Sequence, residues 1–313
     1  MTLHNSTVFK LLPAAMAGVV LMLAAKTTAF GVFIFVAGHL QQIGQQGPII
    51  RGQIEEFQAL ISGYSFYYDF VIPGKPVIFR QVQKTSMLGN VTFMRKNLWS
   101  VRGEVDHRKE WKRGGFEFVP RSVMTFSDFL DRFETEDLYW DEMIPMNHTI
   151  LKNIPFPLPI NCEEITATIQ YINLMMSSGG VSYLLHDDDA DNMFYLLSGE
   201  KTWLIANSSF KSQAYVGAVP HRPGFSPVVP DAVDLSRFPK MSEVEFHEVK
   251  LKAGDLLYVP RNWPHYVRSY ASPNIAINVW FGGKHYLSFV PDDLRCTRQR
   301  KSPKHLLRTQ EFV

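Results

Sequence analysis

The chain has 313 residues, of which 46% are apolar and 20% charged, and its formal net charge is +2. That length suffices for one large or two small domains, and the apolar share supplies a full core. The near-neutral balance excludes an overall field that would attract nucleic acid, and the two cysteines, Cys162 and Cys296, exclude a zinc knuckle or a disulfide framework while leaving one bridge open.

Residues 1–10 form a polar N-terminal segment. Residues 11–38 read as a signal anchor or transmembrane helix: two apolar runs, 11–25 and 29–38, are interrupted by Lys26-Thr-Thr28. A bilayer core takes about 20 helical residues. One central Lys costs about 2.5–3.5 kcal/mol on insertion scales, which the surrounding Leu, Val, Phe and Ile offset. An uncleaved anchor is favoured over a cleaved signal peptide. Lys10 and Arg51 flank the segment evenly, so its orientation stays open. Sequons at Asn90, Asn147 and Asn207, with a fourth at Asn5 before the anchor, favour the secretory pathway, with the endoplasmic reticulum or Golgi lumen as compartment. Residues 39–63 read as a polar linker leading into a short helix. A globular domain is expected over 64–290, followed by a basic tail over 291–313 that reads as a solvated terminus.

Residues 66–80 hold an apolar run, a Pro73-Gly74 turn and a strand over Pro76-Val-Ile-Phe79. Residues 81–115 show no clear period. In 122–133 the apolar positions 126, 129, 130 and 133 have helical spacing, with Thr125 as N-cap and Asp128 three residues later. This helix is expected on the outside of the β-structure. Residues 136–140 read as a strand entering the core, 141–160 as a Pro-rich loop, and 163–174 as a short helix or a strand.

Residues 181–205 read as strand, acidic loop, strand, tight Ser198-Gly-Glu200 turn and strand. The first strand ends in His186-Asp-Asp188. Residues two apart point to the same side of an extended backbone, so the imidazole and the second carboxylate face one way. A third ligand, His265, is available in Trp263-Pro-His265. Two His and one carboxylate on one face of a metal leave the opposite positions open, the arrangement of non-haem Fe(II) oxygenases. The spacing selects Asp188, with Asp187 and Asp189 as competitors if the register shifts. Lys201 shares a face with Trp203 and Ile205. A Lys aimed into an apolar interior needs an anionic partner, for which a dicarboxylate co-substrate is suited; the alternative is an edge lysine with its ammonium in water. Residues 207–240 form a long connection with five prolines, expected over the mouth of the site. Strands are expected at 244–251, 255–259, 266–269 and 275–281. Eight or so short strands with turn signals imply a closed or double-sheet β architecture.

The motifs Lys75-Pro-Val-Ile-Phe79, Leu138-Tyr139, His186-x-Asp188, Asn192, Ser198-Gly-Glu-Lys201, Asp234-Leu-Ser-Arg-Phe-Pro239, Gly254-Asp-Leu-Leu-Tyr-Val-Pro260, Trp263-x-His265 and Ile275-Ala-Ile-Asn278-Val-Trp280 occur in one order across much of the chain. In that order and spacing the chain resembles the cupin-like JmjC hydroxylases. These are Fe(II)- and 2-oxoglutarate-dependent oxygenases related to the asparaginyl hydroxylase that inhibits hypoxia-inducible factor and to small JmjC lysyl hydroxylases. The resemblance implies a mainly β fold, a double-stranded β-helix or jelly roll with flanking helices, preceded here by the N-terminal hydrophobic helix.

It also implies Fe(II) on His186, Asp188 and His265. The keto oxygen and C1 carboxylate of 2-oxoglutarate would lie on the metal, its C5 carboxylate would meet Lys201 and Tyr139, and O2 would complete the set. Succinate and CO2 are the implied by-products, and ascorbate the reductant. Asn278, alternating with Ala276 and Trp280, and Asn192 are expected to orient bound groups beside the iron. Relatives often carry Thr where this chain has Tyr183, so Tyr183 either crowds the co-substrate pocket or offers its phenol instead. His221, His247 and Asp255 are expected to be bystanders.

The reading is hydroxylation of a protein side chain. N-methyl-lysine demethylation or a non-catalytic cupin-like metal- or ligand-binding module are the alternatives. A protein or peptide substrate, no nucleic acid, attachment to a membrane through the N-terminal helix, and a monomer are expected.

Overall fold

A computed structural model describes residues 49–50, 52–82, 87–107, 120–153, 160 and 163–282. The expected hydrophobic helix at 11–38 and the basic tail lie outside the described residues. Among the described residues no helix is long and apolar enough to cross a membrane.

The described residues are mainly β. Twelve strands share one hydrogen-bonded network, organised by two long antiparallel neighbours, β9 (Asp191–Ala206) and β12 (His265–Phe281). The first half of β9 and the last part of β12 lie in a large sheet. Its other members are β2 (Glu55–Phe57), β3 (Val77–Phe79), β4 (Arg102–Asp106), β5 (Arg121–Thr125), β6 (Tyr139–Met143), β7 (Ile169–Ser177) and β11 (Leu256–Val259). The second half of β9 pairs with β10 (Glu245–Lys252), and the start of β12 pairs with β8 (Ser182–His186). The two long strands thus pass from one sheet to the other, giving the expected jelly roll. Buried strand positions need a strand on either side to satisfy the backbone, and β9 has them over 192–195, between β11 and β12, and over 200–205, between β10 and β12; burial falls off at 197–200, about the gap between the two.

Two expectations change. Ser198-Gly-Glu200 is not a reversing turn: β9 runs through it, and β12 follows as one strand where two were expected. Gly199 has φ +83°, and a Cβ there would meet the Asn274 amide at 2.6 Å and the Tyr270 carbonyl at 3.0 Å. The glycine bends a continuous strand, and β12 accommodates the bend by a register shift between Tyr270 and Ile275. Second, the stretch expected to be linker and helix already contains sheet: β1 (Ile49–Ile50) pairs with β10, and β2 pairs with β3. The short helix expected after the linker is present as α1 (Gly63–Phe66), and it continues into a π turn over Tyr67–Val71. The unassigned region after residue 81 holds α2 (Val91–Leu98) and β4.

The expected cap at Thr125 is present. Helix α3 (Phe126–Arg132) starts with a reciprocal box: the Asp128 amide donates to Thr125 Oγ1 at 3.1 Å, and the Thr125 amide donates to the Asp128 carboxylate at 3.4 Å. Phe126 and Phe129 pack against Trp140 with ring centroids 4.9 and 5.5 Å apart. Trp140 faces outward from β6, so α3 covers the back of the large sheet while Tyr139 and Asp141 face the interior. Thr125→Ala is expected to lower stability by about 1 kcal/mol without affecting ligand binding; chemical denaturation measures the first and co-substrate titration the second.

Residues 163–174 hold both options, α4 (Glu163–Thr166) and then β7. The long connection after β9 has no strand, but it is built: short 3-10 turns carry Ala214, Val228, Val233 and Met241 into a cluster with Leu185, Leu204 and Tyr266. Its middle pairs with the end of β8, where the Ser226 amide donates to the Leu185 carbonyl and the Asp187 amide to the Gly224 carbonyl, each at 2.9 Å.

Candidate functional site

His186 closes β8 and His265 opens β12, and the two residues are register partners across the sheet. Each Nδ1 lies near the carbonyl two residues earlier, Leu184 at 2.7 Å and Trp263 at 2.8 Å. A carbonyl only accepts, so Nδ1 carries the proton and Nε2 presents its lone pair. Both Nε2 atoms point at Asp188, at 3.9 Å from Oδ1 and 3.8 Å from Oδ2. Ligand atoms of the three residues lie within 4.8 Å of one another. Burial, then the neighbouring His186, pushes the His265 imidazole down to about 4 against the opposing pull of Asp188, so it is neutral at physiological pH. A neutral imidazole is the form that binds metal.

The surroundings hold these groups in place. Trp280 Nε1 donates to Asp188 Oδ2 at 3.2 Å. The Phe225 ring stacks on His186 at 5.4 Å and 15°, and Trp203 lies against His265 at 5.4 Å. The Asn262 amide donates to the Asp188 carbonyl at 2.7 Å, tying the acidic loop to the turn before His265. The three consecutive aspartates are thereby sorted. Asp187 is ion-paired with Lys211 at 2.5 Å, Asp189 is exposed, and Asp188 alone joins the histidines. The expected bystanders stay apart: Asp255 accepts from Arg80 at 3.0 Å, His221 is exposed, and His247 lies on β10.

A cavity of about 230 Å³ opens beside the triad. It is several times the share of one water, roughly 30 Å³, so it admits a small organic molecule. Lys201 is 4% exposed there and donates from Nζ to Ser269 Oγ at 2.7 Å. No described carboxylate forms an ion pair with it, and burial lowers its ammonium to about 8, partly offset by Asp141 across the cavity. Tyr139 lines the same cavity, and burial holds its phenol well above the ordinary value, so the hydroxyl remains a donor. Tyr183 stands edge-on to His186 at 5.0 Å, and burial likewise keeps its phenol protonated.

Asn192 and Asn278 also line the cavity, and the side-chain oxygen of each is buried without a hydrogen-bond partner. A buried amide oxygen left unpaired is costly. Donor groups on a metal held by the triad would satisfy both, so the residues present fit a divalent ion with bound water or co-substrate.

All eight residues expected at the site line this one cavity. The strand expected to stop at Trp140 continues through Met143, which adds Asp141 to the interior face. Its alternation with Tyr139 was the available signal. Asn173 and Ser269 follow from strand register alone, and Phe225 comes from the long connection, where no local pattern marks it.

The family profile described as "Cupin-like domain" matches residues 64–285. The lysine-specific demethylase JMJ30 of Arabidopsis thaliana is 26% identical over 240 residues, covering 70% of this chain and 52% of that protein. HSPB1-associated protein 1 of Homo sapiens is 28% identical over 181 residues, covering 56% of this chain and 32% of that protein. The chain thus spans about half the length of the first and about a third of the second. The human bifunctional peptidase and (3S)-lysyl hydroxylase JMJD7 is 22% identical over 267 residues, with 72% of this chain and 82% of that protein covered. Among solved structures, the X-ray structure of E. coli ycfD is 15% identical, with a TM-score of 0.48, covering 73% of this chain and 56% of that one.

Proposed function

Because the chain belongs to the cupin-like JmjC domain family, we propose that it is an Fe(II)- and 2-oxoglutarate-dependent oxygenase that hydroxylates a protein side chain. The observation that carries this reading is the pairing of the His186–Asp188–His265 cluster, in one cavity, with a buried lysine that forms no ion pair among the described residues. A structural metal site has no use for Lys201. An isolated buried ammonium is costly, and an anionic co-substrate relieves that cost.

His186 Nε2, His265 Nε2 and the Asp188 carboxylate would hold Fe(II), which with 2-oxoglutarate and O2 supplies oxidative decarboxylation to succinate and CO2 coupled to oxygen insertion into a C–H bond. Lys201 and Tyr139 would receive the distal carboxylate by a charge-assisted pair and a hydroxyl donor. Asn192 and Asn278 would accept from groups on the metal. Phe225, Trp203 and Tyr183 exclude water around the histidines, and Trp280 orients the aspartate. In this geometry Tyr183 forms part of the wall beside His186.

The names of the relatives speak of demethylation, lysyl hydroxylation and association with a protein. They support a protein or peptide substrate. Demethylation would use the same residues and release formaldehyde from an N-methyl group. The test is succinate release by the full chain, in detergent, with Fe(II), ascorbate and 2-oxoglutarate. Release above a metal-free control is expected, and absence of both release and 2-oxoglutarate binding would leave the non-catalytic binding module as the reading. Formaldehyde production from a methylated peptide would shift the assignment to demethylase.

We further propose that the enzyme is a monomer anchored in a secretory-pathway membrane by residues 11–38. The sequon asparagines Asn90, Asn147 and Asn207 are all exposed, as lumenal glycosylation requires. Loss of a mobility shift on glycosidase treatment after sequon removal tests the topology, and light scattering of the solubilised chain tests the monomer.

A further inference from the structure

Beside the groups assigned to metal and co-substrate, the cavity contains a second charged side chain of opposite sign. Asp141 lies two residues after Tyr139 on β6 and faces the same interior, opposite Met175 of β7. One oxygen, Oδ1, accepts from Asn173 Nδ2 at 3.1 Å. No described cation pairs with the carboxylate. The one cation that acts on it, Lys201 across the cavity, is itself engaged and donates to Ser269 at 2.7 Å.

The Asp141 carboxyl is half-buried and open to the cavity. Burial raises it to about 6, with only the Asn173 amide and distant Lys201 pulling against that. A carboxylate withdrawn from bulk water with one neutral donor lacks the compensation that paired buried charges have. The anionic co-substrate proposed for Lys201 would be repelled by it. The cavity therefore offers one positive and one negative position, suited to two different guests.

We propose that Asp141 is the specificity-determining residue for substrate and that the side chain it admits is cationic, a lysine or an arginine. The inference rests on the oxygenase reading for its notion of substrate. Asn173 holds the carboxylate toward the cavity, Oδ2 receives the ammonium or guanidinium, and the aliphatic stem of the guest passes toward the metal between Met175 and Tyr183, which also line the cavity. A carboxylate rejects an acidic side chain and leaves an isosteric apolar one with nothing to offset its desolvation.

The test uses peptide pools of random flanks with a fixed central Lys, Arg, norleucine, Gln or Glu, and retention on the full chain loaded with Mn(II) and 2-oxoglutarate under anaerobic conditions. The Lys or the Arg pool is expected to be retained at least about tenfold over norleucine and Glu. Asp141→Asn keeps the shape and the acceptor for Asn173. It is expected to abolish that preference, and Asp141→Arg to favour the Glu pool. Titration of 2-oxoglutarate alone, on the same proteins, is expected to change less than about threefold in Asp141→Asn. A wild-type protein without basic preference, or an Asp141→Asn protein that keeps it, overturns the proposal. So does a 2-oxoglutarate affinity that falls together with peptide retention, because Asp141 would then serve to balance Lys201. Failure of the wild type to bind 2-oxoglutarate strikes instead at the oxygenase reading, while the pool preference still reports on Asp141.

Discussion

Asp188→Ala is expected to abolish succinate release and to weaken Mn(II) binding by at least about a hundredfold. The expectation follows from geometry. Asp188 lies between the Nε2 atoms of two histidines, 3.9 and 3.8 Å away, and contributes the only carboxylate in the cluster. Loss of a group that merely orients a ligand already costs roughly 10–100-fold in metal affinity or activity, and a ligand itself costs more. Alanine has a second effect, because it strands the Trp280 indole N–H, which donates to Asp188 Oδ2. An unpaired buried donor costs about 1–3 kcal/mol. Asp188→Asn separates the two effects: its amide oxygen still accepts from Trp280, so the apo fold should melt close to wild type while metal binding remains poor. Isothermal titration with Mn(II), beside thermal melts of the metal-free proteins, reads both. Wild-type affinity in Asp188→Ala would remove this residue from the metal site and reopen the choice among the three aspartates.

Lys201→Met should have opposite effects on stability and on co-substrate binding. The buried ammonium is lowered to about 8 from 10.5, chiefly by burial. A lowered cation destabilises the fold where it is charged. The penalty is fully present below about 8, shrinks as the pH rises toward 10.5 because the unfolded chain binds more protons there, and is gone above that. Each pH unit between the folded and unfolded titration points is worth about 1.36 kcal/mol, so the penalty at neutral pH is about 3 kcal/mol. Methionine removes it, so the variant is expected to be more stable than wild type at pH 7 and to lose the rise in stability between pH 8 and 10.5. Its affinity for 2-oxoglutarate should fall by at least about thirtyfold, the loss expected when one partner of a buried charge pair is truncated.

The wild type carries a matching signature. Above about pH 8 the free site holds a neutral amine, and co-substrate affinity should decline toward tenfold per pH unit. Denaturation midpoints across pH and direct 2-oxoglutarate titration check both halves. A Lys201→Met protein that is less stable and binds 2-oxoglutarate normally would identify Lys201 as a structural lysine.

Several features were readable along the chain because they depend on neighbours in sequence. The Thr125–Asp128 box and the 126, 129, 130, 133 stripe specify α3, since a helix closes its contacts within four residues. His186 and Asp188 share a side because an extended backbone alternates with period two, and the same alternation puts Asn278 beside Trp280. The jelly-roll class follows from the number of short alternating strands together with the order of the motifs.

Other features depend on partners far away along the chain. A glycine with positive φ suits a reversing turn and a strand bend alike. Gly199 became a bend because β12 continues beside it and the Asn274 amide lies where a Cβ would be. Strands of two or three residues, such as β1 and β2, carry no period to detect and exist through β10 and β3. Asp187, Asp188 and Asp189 have the same chemistry. Lys211, a residue of the long connection, draws the first away, solvent takes the third, and the middle one is left with the histidines. Asp141 and Lys201 gain their chemical character the same way, from burial without an ion-pair partner among the described residues. Local pattern sets which way a side chain points. Which charges it meets, and so what it can bind, is settled by contacts between strands that are distant in the chain, since electrostatic compensation acts through space.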